Sequence, residues 1–135
     1  MRFGYWAARA AALAFVLGGL SIVAGGQAKV PGTPLPVEAA SVYQTGMATW
    51  YGPGYEGSRT ACGGTYRSAE MTAASNSLPC GSVVTVTNLD TGAAVSVTIT
   101  DRGAFGHPII IDLSMAAFST IGHLDEGMLR VTVTR

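Results

Sequence analysis

The chain has 135 residues with eight basic and eight acidic side chains, so its formal charge is zero. This length suits one small domain, and the lack of a basic patch removes nucleic acid from the expected partners. Only two histidines occur, too few for the three protein ligands that a histidine-based metal site usually needs. We therefore expect no metal site. We also expect no other cofactor and a monomeric protein.

The first 28 residues predict a signal peptide. Arg2 and Arg9 precede or flank an apolar run at 10–24, which is too short to span a membrane comfortably. Gly26-Gln27-Ala28 offers small residues for cleavage after Ala28; an uncleaved anchor is the alternative. Export to the periplasm, the cell exterior or the cell wall is expected. Loss of the leader leaves six basic against eight acidic residues, a net charge of −2.

Residues 29–42 contain three prolines and no periodicity, so they predict an extended linker before a domain at 43–135. Two cysteines, Cys62 and Cys80, lie in that domain. An even number of cysteines in an oxidising compartment predicts a disulfide, which stabilises the fold by roughly 3 kcal/mol. A metal pair or a reactive thiol is the alternative, but two cysteines without a CxxC spacing make a poor zinc site.

The domain shows short segments typical of β-strands, several with a clear period-two alternation. An Asp90-Thr91-Gly92 turn predicts a hairpin, and residues 115–121 predict a short helix with Ser114 as N-cap and Gly122 as C′ residue. Five or six short strands with one helix indicate a mainly β protein, as a closed barrel rather than an open sheet. The predicted strands are 46–51, 82–88, 94–100, 109–111 and 128–134, with a short apolar piece at 71–74.

Two carboxylates, Asp101 and Asp112, each follow an apolar run. The run before Asp101 alternates and is rich in β-branched residues, and Ile109-Ile110-Ile111 is typical of a buried strand. If both strands end at the same edge of the barrel, the two acids meet on one side of the domain. Enzymes that hydrolyse a glycosidic bond normally use such a pair of carboxyl groups.

Seven motifs occur in a fixed order: Gly-Met-Ala-Thr-Trp-Tyr-Gly at 46–52, Thr-Ala at 60–61, Thr-Ala-Ala at 72–74, Leu-Pro-Cys-Gly at 78–81, Val-Thr-Asn at 86–88, Asp-Arg-Gly at 101–103 and Ile-Asp-Leu-Ser at 111–114. Together they resemble the rare lipoprotein A (RlpA) family, whose wider relatives include expansins and barwin-like proteins. The resemblance implies a six-stranded double-psi β-barrel. It also implies lytic transglycosylase activity, with peptidoglycan or another cell-wall polysaccharide as the partner.

The chain departs from the family pattern at two places. Gly64 stands where the family usually has a glutamate, and Ser75 stands where it usually has a histidine. Of the three polar residues linked to RlpA catalysis, the resemblance carries over only Asp101. Asp112 matches the aspartate that is tied to activity in expansins. The resemblance therefore leaves two alternatives open. One is an expansin-like module that binds and loosens wall glycan without cleaving it. The other is a barwin-like role in defence or adhesion.

We expect Asp101 to perform acid/base work, with Asp112 tuning it or orienting the sugar. Each aspartate could instead have a purely structural role. Asp101 would then be a turn residue, and Asp112 would interact with the first turn of the helix. Arg102 is expected to pair with either acid. Trp50 is expected in the core, whereas Tyr51 and Tyr55, beside a Gly-Pro-Gly loop, are expected to be exposed to sugar rings. The predicted substrate-binding residues are Thr49, Tyr51, Tyr55 and Arg102.

Overall fold

The computed structural model describes residues 40–135. The predicted signal peptide and most of the predicted linker lie outside them. The described residues form six strands and one α-helix, and none of their helices is long and apolar enough to cross a membrane. In chain order the elements are β1 (Val42–Trp50), β2 (Thr72–Ala74), β3 (Val83–Asn88), β4 (Ala94–Asp101), β5 (Ile109–Leu113), α1 (Met115–Ile121), a 3-10 helix (Leu124–Glu126) and β6 (Leu129–Thr134).

The six strands close into a barrel in the order β1-β5-β2-β4-β3-β6, which confirms the predicted fold class. Two of the pairs are parallel, β1 with β5 and β2 with β4, and the others are antiparallel. Closure leaves no free edge in the sheet. Because parallel neighbours are far apart in sequence, the barrel brings together residues that the chain order keeps separate.

The barrel interior is filled by alternate residues of the strands. On β3, β4 and β6 every second side chain points inward and is buried, as period-two alternation requires. The polar exception, Asn88, is satisfied: its Nδ2 donates to the Ile121 carbonyl at 2.8 Å, and its Oδ1 accepts from the Asp90 amide at 2.9 Å. The Asn88 carbonyl accepts from the Gly92 amide, which closes the predicted hairpin turn.

Helix α1 has the predicted bounds and N-cap, but Gly122 after it does not have the predicted conformation. The Ser114 hydroxyl accepts a hydrogen bond from the Ala117 amide, as an N-cap does. Gly122 has φ −169°, which is extended backbone and not the left-handed C′ conformation that we predicted. Its small size matters instead, because a Cβ there would lie 2.5 Å from Leu129 Cδ1. The chain thus leaves the helix by passing close under β6.

The predicted disulfide between Cys62 and Cys80 is present, with a Cα–Cα distance of 5.8 Å. It joins the long loop between β1 and β2 to the turn before β3. The Cys62 amide also donates to the Thr100 carbonyl at 3.2 Å, and the Gly81 amide donates to the Ile99 carbonyl at 2.7 Å. The bridge therefore fastens this loop against the end of β4, the strand that carries Asp101.

Candidate active site

The strand register places the two aspartates at one edge of the barrel. Ala74 of β2 pairs with Asp101 of β4 on one side and with Asp112 of β5 on the other. Asp112 in turn pairs with Thr49 of β1. Neighbouring strands are about 4.8 Å apart, so the Cα atoms of the two aspartates are separated by roughly 10 Å. Both side chains line one groove, as expected if the two strands end together.

The groove has a volume of about 660 Å³ and is open along one side of the barrel. Its floor carries the aspartates, and its walls come from the loop between β1 and β2 and from the loop after β4. Among residues 40–135, no group of three or more His, Cys, Asp or Glu side chains is arranged to hold a metal ion. The lining residues are Thr49, Trp50, Tyr51, Gly52, Tyr55, Ser58, Arg59, Tyr66, Asp101, Arg102, Gly103, Ala104, Phe105 and Asp112.

The Asp101 carboxylate accepts three hydrogen bonds. Its Oδ1 accepts from the backbone amides of Ala61 at 2.7 Å and Arg102 at 2.8 Å. Its Oδ2 accepts from the Tyr51 hydroxyl at 2.9 Å. The Arg102 amide contact is the turn-capping role that the sequence left open as the structural alternative. The other two contacts come from distant segments, so Asp101 is both a turn residue and the centre of a tertiary network.

Asp112 is partly buried. Its Oδ1 accepts one hydrogen bond, from the Thr49 hydroxyl at 2.9 Å. Burial raises the pKa of the Asp112 carboxyl above its ordinary value; the Thr49 hydrogen bond opposes that rise, and the charge of Asp101 adds to it. The first turn of α1 contains no acidic residue, and its cap is Ser114. Asp112 therefore faces the groove and does not serve the helix.

Asp112→Asn is expected to raise the melting temperature at pH 7. A carboxyl whose pKa is higher in the folded state stabilises the fold below its unfolded pKa, and this contribution is lost as the pH rises through the folded value. The amide removes the cost of a buried charge and keeps an oxygen for Thr49. Thermal unfolding from pH 3 to pH 8 should show the difference shrinking below about pH 4. The exposed Asp125→Asn is the matched control; a lower melting temperature for Asp112→Asn at pH 7 would contradict this account.

Tyr51 is buried, which corrects the prediction that it is exposed. Only 9% of the residue is accessible. Its ring stacks on Tyr66 with centroids 4.4 Å apart and an interplanar angle of 27°. Tyr55, whose ring meets Tyr51 edge-on at 5.6 Å, is 54% exposed as predicted. The ring of Tyr55 is therefore accessible at the groove, whereas Tyr51 packs against Tyr66 in an aromatic wall.

The guanidinium of Arg102 forms no ion pair with Asp101 or Asp112, contrary to the prediction. Its Nη1 donates to the backbone carbonyls of Ser75 at 2.6 Å and Asp101 at 3.3 Å. The ion pairs found within residues 40–135 are those of Arg67 with Glu56 and of Arg130 with Asp90. Arg102 thus braces the backbone between β2 and β4. Its side chain also lines the groove.

Trp50 packs as predicted, partly buried against the core. Its ring lies 6.4 Å from that of Phe118, and its Nε1 donates to the Leu124 carbonyl at 3.0 Å. One edge of the residue still lines the groove. Its position thus supports the packing role that the sequence favoured.

The two positions that the sequence predicted to depart from the family pattern, Gly64 and Ser75, do not line the groove. Gly64 is exposed and lines a neighbouring cavity beside the disulfide, with Glu70. Ser75 is fully buried, and its Oγ accepts from the amides of Ser77 at 3.3 Å and Leu78 at 3.2 Å. Ser75 is therefore a turn residue here. Neither position contributes a titratable side chain to the groove lining.

Sequence reasoning missed three parts of the site. The Ala61 amide holds Asp101 through its backbone, and a backbone donor carries no side-chain signal. Tyr66 and Phe105 complete the aromatic wall with Tyr51. Tyr66 lies in a loop without periodicity, and only the abundance of tyrosine near 51–66 hinted at a cluster. Burial raises the pKa of the Tyr66 phenol, so that it remains protonated.

Comparison with known proteins identifies a family and a set of relatives. A family model described as "Lytic transglycolase" matches residues 43–133. The chain is 42% identical over 102 residues to the endolytic peptidoglycan transglycosylase RlpA of Pseudomonas aeruginosa, covering 75% of this chain and 30% of that protein. It is 44% identical over 82 residues to the protein of the same name from Campylobacter jejuni, covering 61% of this chain and 30% of that protein. The chain thus spans about 30% of the length of these curated relatives.

Among solved structures, an expansin of Clavibacter michiganensis, solved as a mutant in complex with cellohexaose, is similar in fold. Its TM-score is 0.54 and its sequence identity is 24%, covering 67% of this chain and 49% of that chain. At this identity the likeness concerns the barrel alone. It agrees with the double-psi β-barrel that the sequence motifs implied.

Proposed function

This chain belongs to the lytic transglycolase family of double-psi β-barrel domains, and from that premise we propose that it cleaves the glycan strands of peptidoglycan. The observation that supports the proposal is the pair Asp101 and Asp112, brought to one groove across Ala74. The relatives named above carry this activity in their names. Because the chain spans only part of their length, the activity, the substrate and the wall partner are all proposed here for this chain.

Lytic transglycosylation requires one proton donor and one proton acceptor. The bond between the sugar C1 and the bridging oxygen breaks, and that oxygen takes up a proton from an acid. The 6-hydroxyl of the same sugar then bonds to C1 and gives its proton to a base, which leaves a 1,6-anhydro ring. No water is consumed, and two carboxyl groups can perform both transfers.

The environments of the two aspartates suggest how the work is divided. Burial raises the pKa of Asp112, so it keeps a proton at a higher pH than an exposed carboxyl does and suits the donor role. Asp101 accepts hydrogen bonds at both of its oxygens and suits the acceptor role. The sequence predicted both aspartates to be catalytic, with Asp101 performing the acid/base work and Asp112 assisting it; the effect of burial on Asp112 supports a share of the proton transfer for it. The exposed ring of Tyr55 and the side chains of Thr49 and Arg102 would contact the sugar.

The test is to incubate the chain with glycan strands free of stem peptides and to analyse the products by mass spectrometry. We expect chains ending in 1,6-anhydro sugars. Products with ordinary reducing ends would show hydrolysis and overturn the transglycosylase assignment. A complete lack of products would overturn cleavage altogether.

A second candidate is a barrel that binds glycan without cleaving it. One observation favours it: Gly64 and Ser75 supply no titratable side chain to the groove. Gly64→Glu distinguishes the two, because the residue is exposed and a Cβ there would only make an ordinary contact with Thr60 Oγ1 at 3.5 Å. In the same assay, a wild type that binds but never yields anhydro products, beside a Gly64→Glu variant that does, would establish the binding function.

The proposal includes export, because the glycan lies outside the cytoplasm. It also includes action as a monomer, since one barrel supplies every residue that the proposed reaction uses.

A further inference from the structure

Tyr51 is held through its backbone amide and by two neighbouring tyrosine rings. Its amide donates to the Leu113 carbonyl at 2.9 Å, which ties the backbone to the end of β5. Its ring is clamped between Tyr66, stacked at 4.4 Å, and Tyr55, edge-on at 5.6 Å. With 9% of the residue accessible, little of the ring is free to contact a ligand. The one polar atom of this side chain points at Asp101.

The hydroxyl of Tyr51 completes the set of donors around Asp101. Ala61 and Arg102 occupy Oδ1 through backbone amides, and Tyr51 occupies Oδ2. With both oxygens held, the plane of the carboxylate is fixed. Burial raises the pKa of the Tyr51 phenol well above its ordinary value, and the hydrogen bond and charge of Asp101 add to the rise. The phenol therefore stays protonated, and its O–H donates to the Asp101 carboxylate.

We propose that Tyr51 is a positioning residue, which fixes Asp101 in the orientation that the proposed cleavage requires. This inference rests on the proposed function for its catalytic part and on the Tyr51–Asp101 contact for its structural part. A preorganised acceptor loses less orientational freedom when the sugar binds. The role differs from the sugar-contacting one that the sequence predicted for Tyr51.

Several other groups could influence Asp101, and the test must separate them from Tyr51. The hydroxyl of Tyr66 accepts from the Met115 amide at 3.4 Å and so points away from Asp101. The guanidinium of Arg102 is directed to backbone carbonyls. The titratable and charged side chains that line the groove beside Asp101 are Tyr51, Tyr55, Arg59, Tyr66, Arg102 and Asp112.

The kinetic test is Tyr51→Phe, which keeps the stacked ring and removes only the hydroxyl. We expect kcat to fall roughly 10–100-fold, the effect of losing one hydrogen bond to a charged group, while KM changes little. Because that bond favours the ionised carboxylate, the acidic limb of the kcat profile should move to higher pH. Tyr43→Phe is the matched control, since it removes a hydroxyl that donates to the Ser77 carbonyl outside the groove. An unchanged kcat profile for Tyr51→Phe would overturn the proposal.

A spectroscopic test needs no activity. With 13Cζ-labelled tyrosine, the Tyr51 resonance should shift in one step when the carboxylate that it contacts takes up a proton. That step should vanish in Asp101→Asn and persist in Asp112→Asn. Absence of the step in the wild type, or its persistence in Asp101→Asn, would overturn the pairing. If the step behaves as expected in a protein that yields no anhydro products, the pairing stands and the proposed function fails.

Discussion

Asp101→Asn is expected to reduce the rate of anhydro-product formation by about 10²–10⁴-fold, the usual contribution of a general acid or base. The amide cannot take up the proton of the sugar 6-hydroxyl. The fold should tolerate the change, because the amide oxygen still accepts from the Ala61 and Arg102 backbone amides and the Tyr51 hydroxyl can accept from the new Nδ2. The melting temperature and the Kd for glycan should therefore stay close to those of the wild type.

The measurement combines initial rates from mass spectrometry with a thermal scan and a binding isotherm for each variant. Asp125→Asn serves again as the control, since it makes the same chemical change at an exposed carboxyl in the 3-10 helix. If cleavage and binding are both unchanged in Asp101→Asn, Asp101 is only a turn residue and the site is misplaced. A large fall in melting temperature would instead assign Asp101 a mainly structural role.

Replacement of both cysteines, Cys62→Ser with Cys80→Ser, is expected to cost roughly 3 kcal/mol of folding free energy. The bridge closes a loop with a sequence separation of 18 residues, and the chain-entropy model gives this magnitude. For a domain of this size the melting temperature should fall by roughly 12–24 °C. The serines themselves cost little, since Cys80 is exposed and Cys62 only half-buried.

The same variant should lose activity at temperatures where it is still folded. The Ala61 amide that holds Asp101 precedes Cys62 directly, and the bridge fastens this segment to the turn before β3. Wild-type protein treated with a phosphine reductant is the second arm and should behave like the double variant. An unchanged melting temperature would show that the other contacts of the loop hold it in place without the disulfide. Unchanged specific activity in the folded variant would show that Ala61 is held without the bridge.

The local patterns in the sequence predicted most of the strands well. In β3, β4 and β6 the buried residues, such as Val86, Val97 and Val131, occupy alternate positions, and this alternation can be read from the sequence because it depends only on neighbours along one strand. β1 was harder. It begins at Val42, four residues before the predicted start, because pairing with β6 extends it where the local pattern is weak.

The site, like the strands, could be predicted from the sequence only in part. The carboxylates could be located from the sequence, since each follows an apolar run and matches a family motif. Their distance and partners could not, because these depend on β2, a strand of only three residues, lying between β4 and β5. The predicted exposure of Tyr51 was also wrong. Tyr51 is buried by contact with Tyr66, which lies fifteen positions further along an aperiodic loop.

The sequence by itself determined the alternating strands, the capped helix, the bridged cysteines and the two candidate acids, because each depends on residue chemistry and on short-range spacing. Only the tertiary structure decided that Ala74 separates the acids, that burial raises the pKa of Asp112, and that Tyr51 and Ala61 hold Asp101. These features arise from parallel pairing of strands that are distant in the chain and from a loop folded back onto β4. Contacts of that kind produce no periodic pattern in the sequence, because they form only when the whole barrel closes.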